Sequence, residues 1–254
     1  MNEPLTFLSW NLCMMKTSAQ APMHWRMDLT ENEIREVVLR ESPDFVCFQE
    51  LPGLVPFVEG YDLLPANTRS HSGDIATIVR KDWIDKIEVD VINRFAVFAI
   101  IPSENLTLVN VHLAPGNNGK FKRLDMLQQI EQKCKTDGLL IVGDTNSRLS
   151  EEKLIAEVGL QGTKPPRATW DTRANRFRDQ GHEFTAYFTR YFHNQQVVVQ
   201  DVEVWDEPIE HEGKKFFVSD HFALTGSFHL AQSDEGDLEG EDDRADESDD
   251  PEVE

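Results

Sequence analysis

Hydrophobic residues in this chain come in short runs that stop abruptly at polar ones. Runs rich in Leu, Ile, Val and Phe predict strands over residues 5–10, 44–49, 74–80, 86–93, 95–101, 106–113 and 139–142. Four more are predicted over 187–192, 197–205, 214–218 and 222–228. Helical spacing is rarer. Leu124, Leu127 and Ile130 predict a helix over 121–134, and residues 150–158 a brief one. Thr30 and Glu33 form a capping-box pattern that predicts a helix over 31–41, closed before Pro43. Helices fall between strands and strands outnumber them, which leaves a mixed sheet or a two-sheet sandwich with helices outside.

What stops the strands carries the chemistry. The first ends in Asn11, the second in Glu50 and the sixth in His112. The run at 139–142 leads into Asp144-Thr145-Asn146, and the one at 214–218 into Asp220-His221. Alone, Asp144-Thr145-Asn146 is an Asx turn, Glu50 a solvated strand end, His112 a core histidine, Asp220-His221 a turn pair, and Asn11 a backbone partner. Together they are three carboxylates, two asparagines and two histidines at strand ends, where layered sheets gather their functional groups. Hard oxygen donors without thiolates, apart from nearby Cys13, suit Mg²⁺ or Mn²⁺ rather than Zn²⁺.

The chain has 254 residues, 39% of them hydrophobic, which fits one large domain with a substantial core. No internal repeat, signal sequence or membrane-length apolar run is visible. Cys13, Cys47 and Cys134 have no ligand spacing and read as thiols in a reducing compartment, so a cytoplasmic protein is expected. The net charge is −21, of which residues 233–254 supply −12, leaving −9 on the body. Such a tail cannot fold alone, so the expected organisation is a domain over 1–232 and a disordered acidic tail over 233–254. The tail serves solubility or, as a sharper alternative, competes with nucleic acid for a basic site. The acidic body argues against nonspecific wrapping of nucleic acid but leaves room for phosphate chemistry beside a bound metal.

The motifs Ser9-Trp10-Asn11, Phe48-Gln49-Glu50, Val111-His112-Leu113, Gly143-Asp144-Thr145-Asn146 and Ser219-Asp220-His221 resemble those of the endonuclease/exonuclease/phosphatase superfamily. They span residues 5–229. The resemblance implies an α/β fold, a two-sheet β-sandwich flanked by helices (the DNase I-like four-layer sandwich), and Mg²⁺-dependent hydrolysis of phosphoesters, with Mn²⁺ as a substitute. It implies metal binding by Glu50 and Asn11 with Asp220 beside them, water activation by Asp144, transition-state stabilisation by Asn146 and His221, and a phosphate contact from His112. Thr169-Trp170-Asp171-Thr172 with Asn175, and Phe188-Thr189-Arg190-Tyr191-Phe192, resemble the 5′-tyrosyl-DNA phosphodiesterase branch. There the family's Asp, which orients the catalytic histidine, is replaced by Thr189. A threonine keeps a hydrogen bond and loses a charge.

Residues 160–200 carry a local charge of +3, with Lys164, Arg167, Arg173, Arg176, Arg178 and Arg190 interleaved by Trp170, Phe177 and Tyr187. This suits a single-stranded nucleic-acid end, or else is a solvated loop. Lys120, Lys122 and Arg123 form a second basic cluster after a Gly116–Gly119 connection. The expected substrate-binding residues are Trp170, Arg148, Arg190 and Lys120. Expected partners are nucleic acid or a small phosphoester, with no membrane and a monomeric chain. Three functions compete: hydrolysis at nucleic-acid ends, hydrolysis of a small phosphoester such as an inositol phosphate or phospholipid head group, and binding on a fold disabled at Thr189.

Overall fold

The computed structural model describes residues 3–15, 27–65, 69–70, 73–172 and 183–231. The acidic stretch 233–254, and the loop positions Arg173, Asn175, Arg176, Phe177 and Arg178, lie outside these residues. In chain order the elements are β1 (Leu5–Asn11), α1 (Met27–Glu41), β2 (Phe45–Leu51), β3 (Tyr61–Leu63), β4 (Arg69–Ser70), β5 (Gly73–Arg80), β6 (Glu88–Ile92), β7 (Ala96–Ile101) and β8 (Leu106–His112). There follow α2 (Lys120–Lys133), β9 (Gly138–Asp144), α3 (Glu152–Glu157), β10 (Gln161–Thr163), β11 (Trp170–Asp171), β12 (Thr185–Ala186), β13 (Thr189–His193), β14 (Val197–Trp205), β15 (Ile209–His211), β16 (Lys214–Phe216) and β17 (Ala223–Leu230).

Two mixed sheets pack face to face. One runs β14-β17-β1-β2-β5-β3, with β4 also on β5; the other runs β10-β13-β9-β8-β7-β6. The parallel pairs are β1 with β2 and β8 with β9, each joined through a helix. Alternation along the strands divides the apolar residues between faces. Phe7, Phe45, Cys47, Leu108, Leu140, Val142 and Tyr191 meet between the sheets. Leu8, Trp10, Val46 and Phe48 face the other way, onto Ile34, Val37 and Val38 of α1. Val109, Val111 and Ile141 pack under Leu127 and Ile130 of α2 and Ile155 of α3. This is the expected helix-flanked sandwich.

Two expectations about boundaries need correction. Helix α1 opens at Met27, so Thr30 is not its cap but a fully buried residue in the second turn. Strand β2 runs on to Leu51 through a register shift between Phe48 and Leu51. Glu50 sits in that bulge with φ 50°. A bulge inserts a residue and re-aims its side chain, which turns Glu50 out of the ladder.

Candidate active site

The period that builds the core also builds the site. On β1, Phe7 is followed on the same face by Ser9 and Asn11; on β2, Cys47 by Gln49; on β8, Leu108 by Asn110 and His112; on β9, Val142 by Asp144. The inner face therefore turns polar at one end of the sandwich. Gln49, Ser9 and Asn110 form its floor. Gln49 Nε2 donates to Asn110 Oδ1 (2.8 Å) and Ser9 Oγ (3.2 Å), and Asn110 Nδ2 to the Ala76 carbonyl (2.9 Å). All three are buried.

Register brings the chemical groups together above that floor. His112 and Thr189 lie opposite Asp144 on either side of β9. Asn11 Nδ2 donates to Asp144 Oδ2 at 2.8 Å, and the Asn146 backbone N–H donates to Asp144 Oδ1 at 3.1 Å, so both carboxylate oxygens are fixed. His112 Nε2 lies 3.6 Å from Glu50 Oε1 and 3.6 Å from Asp144 Oδ2. His221 Nε2 lies 3.8 Å from Asp144 Oδ2 and 4.0 Å from Asp220 Oδ1. These separations are too long for direct hydrogen bonds.

The turn carrying Asp220 and His221 is pinned from three sides. Ser219 Oγ donates to the Asn11 carbonyl and accepts the His221 backbone N–H (3.1 Å). Trp10 Nε1 donates to the His221 carbonyl (3.0 Å), and the Phe222 N–H to the Thr169 carbonyl (2.9 Å). His221 Nδ1 is hydrogen-bonded to Thr189 Oγ1 at 3.1 Å. The Trp170 ring stands edge-on to His221 at 4.8 Å, flanked by Phe188 and Phe184.

Glu50, His112 and Asp144 each offer a ligand atom within 4.8 Å of the others, a group able to hold a metal ion. Burial pushes the Glu50 carboxyl above its ordinary range; His112 opposes this and the Asp144 charge adds to it. Among the described residues no lysine or arginine is ion-paired with Glu50, Asp144 or Asp220. The excess of buried negative charge and the mostly hard donor set fit a divalent cation. Cys13 also borders this charge. Burial, and next the Asp220 charge, raise its thiol so that it stays protonated.

The structure thus gathers Asn11, Glu50, His112, Asp144, Asn146, Asp220 and His221 at one strand edge. Trp170 lies beside them, and Arg148 lies over Phe188 at 4.5 Å while donating to Asn117 Oδ1 (3.2 Å). Lys120 is partly exposed at the start of α2, its ammonium 5.8 Å over the Phe121 ring. Arg190 is not a surface group. It is fully buried, beside Thr189 but on the opposite face of β13, and ion-paired to Glu152 at 2.9 Å. Strand alternation puts only one of the two neighbours in the site, and that one is Thr189. Arg123, grouped by sequence with Lys120 and Lys122, is also buried, against Glu151. The sequence motifs contain Ser9 and Gln49 but not their partner Asn110; the signal for this floor is a polar residue at alternate positions inside otherwise apolar strands.

Two mixed sheets bring carboxylates, amides and imidazoles to one strand edge, a set of groups that suits phosphoester hydrolysis. The Endonuclease/Exonuclease/phosphatase family model matches residues 8–221, and the chain belongs to that family, whose members hydrolyse phosphoester bonds. No curated protein sequence matches it. Among solved structures it is similar to D. rerio TDP2 complexed with single strand DNA product, at 19% identity and TM-score 0.66, over 90% of this chain and 100% of that one. It is similar to TDP2 from C. elegans at 17% identity and TM-score 0.63, over 89% and 75%. An endonuclease/exonuclease/phosphatase from Bacteroides vulgatus matches at 16% identity and TM-score 0.61, over 91% and 100%. At these identities the likeness establishes the fold. Among the described residues no helix is long and apolar enough to cross a membrane.

Proposed function

We propose that this chain is a Mg²⁺-dependent phosphodiesterase acting at nucleic-acid ends, of the kind that releases tyrosine from DNA 5′ termini. The observation that carries the reading is the meeting of Glu50, His112, Asp144 and His221 within 4.0 Å contacts, beside an aromatic and arginine rim. Glu50, Asn11 and Asp220 would hold the cation, with Mn²⁺ able to replace Mg²⁺. When bound, it supplies the positive charge that offsets the transferring phosphoryl group.

The remaining work belongs to the chain. Asp144 has both oxygens held by amide N–H groups, so its carboxylate is fixed for taking a proton from the attacking water. Among the described residues none hydrogen-bonds directly to Nε2 of His221 or His112, which leaves both available to phosphoryl oxygens. Asn146 adds an amide donor beside them. The Thr189 hydroxyl fixes the ring of His221 without adding charge. Trp170, Phe188 and Arg148 offer faces for an aromatic group and a guanidinium for phosphate. Residues 1–232 form the catalytic domain, acting as a cytoplasmic monomer, and 233–254 the acidic tail.

The test is hydrolysis of a 5′-tyrosyl oligonucleotide, an unmodified oligonucleotide and an inositol phosphate, each with Mg²⁺ and with chelator. Metal-dependent tyrosine release that disappears in Asp144→Ala is expected. Turnover of the small phosphoester alone would replace the nucleic-acid reading. Silence on all three, with retained ligand binding, would make this a binding protein.

A further inference from the structure

Arg123 is buried to 1% exposure at the start of the second turn of α2, yet it points a full charge into the protein. Its partners explain why. Nε donates to Glu151 Oε2 at 3.0 Å and Nη2 to Glu151 Oε1. Nη1 donates to the carbonyls of Ala114 (2.7 Å) and Gly116 (2.9 Å). One guanidinium therefore joins two segments that both leave the site: residues 113–119, which follow His112, and residues 145–151, which follow Asp144. The first segment closes directly on the guanidinium. A Cβ at Gly119 would stand 2.6 Å from Arg123 Nη1 and 3.0 Å from the Ala114 carbonyl.

The same two segments touch at the site itself. The Leu113 N–H donates to the Asp144 carbonyl at 2.9 Å, and Asn146 Nδ2 donates to the Leu113 carbonyl at 3.1 Å. Leu113 and Ala114 are consecutive, so Asn146 holds one carbonyl and Arg123 the next. Asn146 has φ 50°, outside regular strand geometry, so the ladder does not orient its side chain. We propose that Arg123 is a positioning residue: by fixing the 113–116 backbone against Glu151, it sets the direction of the Asn146 amide. This rests on the phosphodiesterase reading for its kinetic consequence, but not for the coupling itself. A buried ion pair is weak evidence for stability, since well-packed apolar residues often replace it without loss. A planar fork that meets a carboxylate and two carbonyls at once is instead a device for geometry, which a lysine ammonium cannot reproduce.

The experiment compares wild type with Arg123→Lys and Glu151→Gln, using Val37→Ala on α1, which packs on the other sheet, as a control for stability loss. Two quantities are read: the Asn146 side-chain amide signal by NMR of the uniformly labelled full chain, assigned by its disappearance in Asn146→Ser, and kcat with KM on the tyrosyl oligonucleotide. The inference expects the Asn146 signal to shift in Arg123→Lys and Glu151→Gln but not in Val37→Ala. It expects kcat to fall tenfold or more in Arg123→Lys while KM changes less than threefold. An unmoved Asn146 signal overturns it, as does a kcat loss no greater than in Val37→Ala at equal loss of Tm. If wild type turns over no phosphoester, the phosphodiesterase reading fails, and a shifted Asn146 signal still supports the coupling.

Discussion

Removing one hydroxyl at Thr189 isolates what its hydrogen bond does for His221. Thr189→Val keeps shape and strand propensity at a fully buried position and replaces only the Oγ1 hydroxyl with a methyl. The backbone N–H of residue 189 keeps its bond to Thr169 Oγ1 (3.0 Å), so the strand is undisturbed. His221 Nδ1 loses its 3.1 Å partner at a residue only 5% exposed. An unsatisfied buried polar group costs about 1–3 kcal/mol. At about 1.4 kcal/mol per decade, that corresponds to a fall in kcat of roughly 5- to 150-fold if the loss is felt in the transition state. It is less than the ~10⁴-fold cost of removing a charged orienting partner in a serine-protease triad, because only a neutral hydrogen bond is lost here. Thr189→Asp is the opposing change. It places a carboxylate directly across the ladder from Asp144, and like charges so placed repel. The variant is expected to be less stable than wild type in chelator and to recover with Mg²⁺. The assay is kcat and KM on the tyrosyl oligonucleotide with Tm measured alongside. A Thr189→Val enzyme within twofold of wild type in kcat would refute the orienting role.

Three further outcomes are expected. Glu50 has its carboxyl raised in the folded state by burial, so stability is present below its unfolded pKa and falls as pH rises through the window from there to the folded value. Glu50→Gln should therefore have a higher Tm than wild type at pH 7 in chelator, with the difference closing at about pH 4 and Mg²⁺ stabilisation abolished; thermal scans across pH check this. Gly143 has φ 143° and a Cβ there would collide with the Val111 backbone, so Gly143→Ala should part β9 from β8 and lower stability by about 3 kcal/mol or more in denaturant melts. Arg190→Met should change activity only in proportion to the folded fraction, because the guanidinium faces Glu152 rather than substrate; a raised KM at unchanged Tm would return Arg190 to the binding surface.

The site was more legible in sequence than its surroundings, and the reason is strand geometry. A strand shows its facing residues at every second position, so a polar residue ending an apolar run announces both its face and its sheet edge. Asn11, His112 and Asp144 were readable in that way, whereas strand spacing left a mixed sheet or a two-sheet sandwich open and only the family resemblance pointed to the sandwich. Short strands such as β3, β10 and β15 hold three residues each and leave no periodicity to read. Charge was the least legible feature. An arginine in a sequence looks solvated, yet Arg123 and Arg190 are both buried, and each depends on a glutamate near α3. Burial follows from which face of an element the residue occupies. For Arg190 that face follows from Thr189: if one neighbour reaches His221, the other must point to the outer layer. The alternation that marked the catalytic groups therefore already excluded Arg190 from among them, once Thr189 was taken as the partner of His221. Arg123 had no such indicator, since its role depends on the path of the loop from 113 to 119, and loop paths are set by contacts distant in sequence.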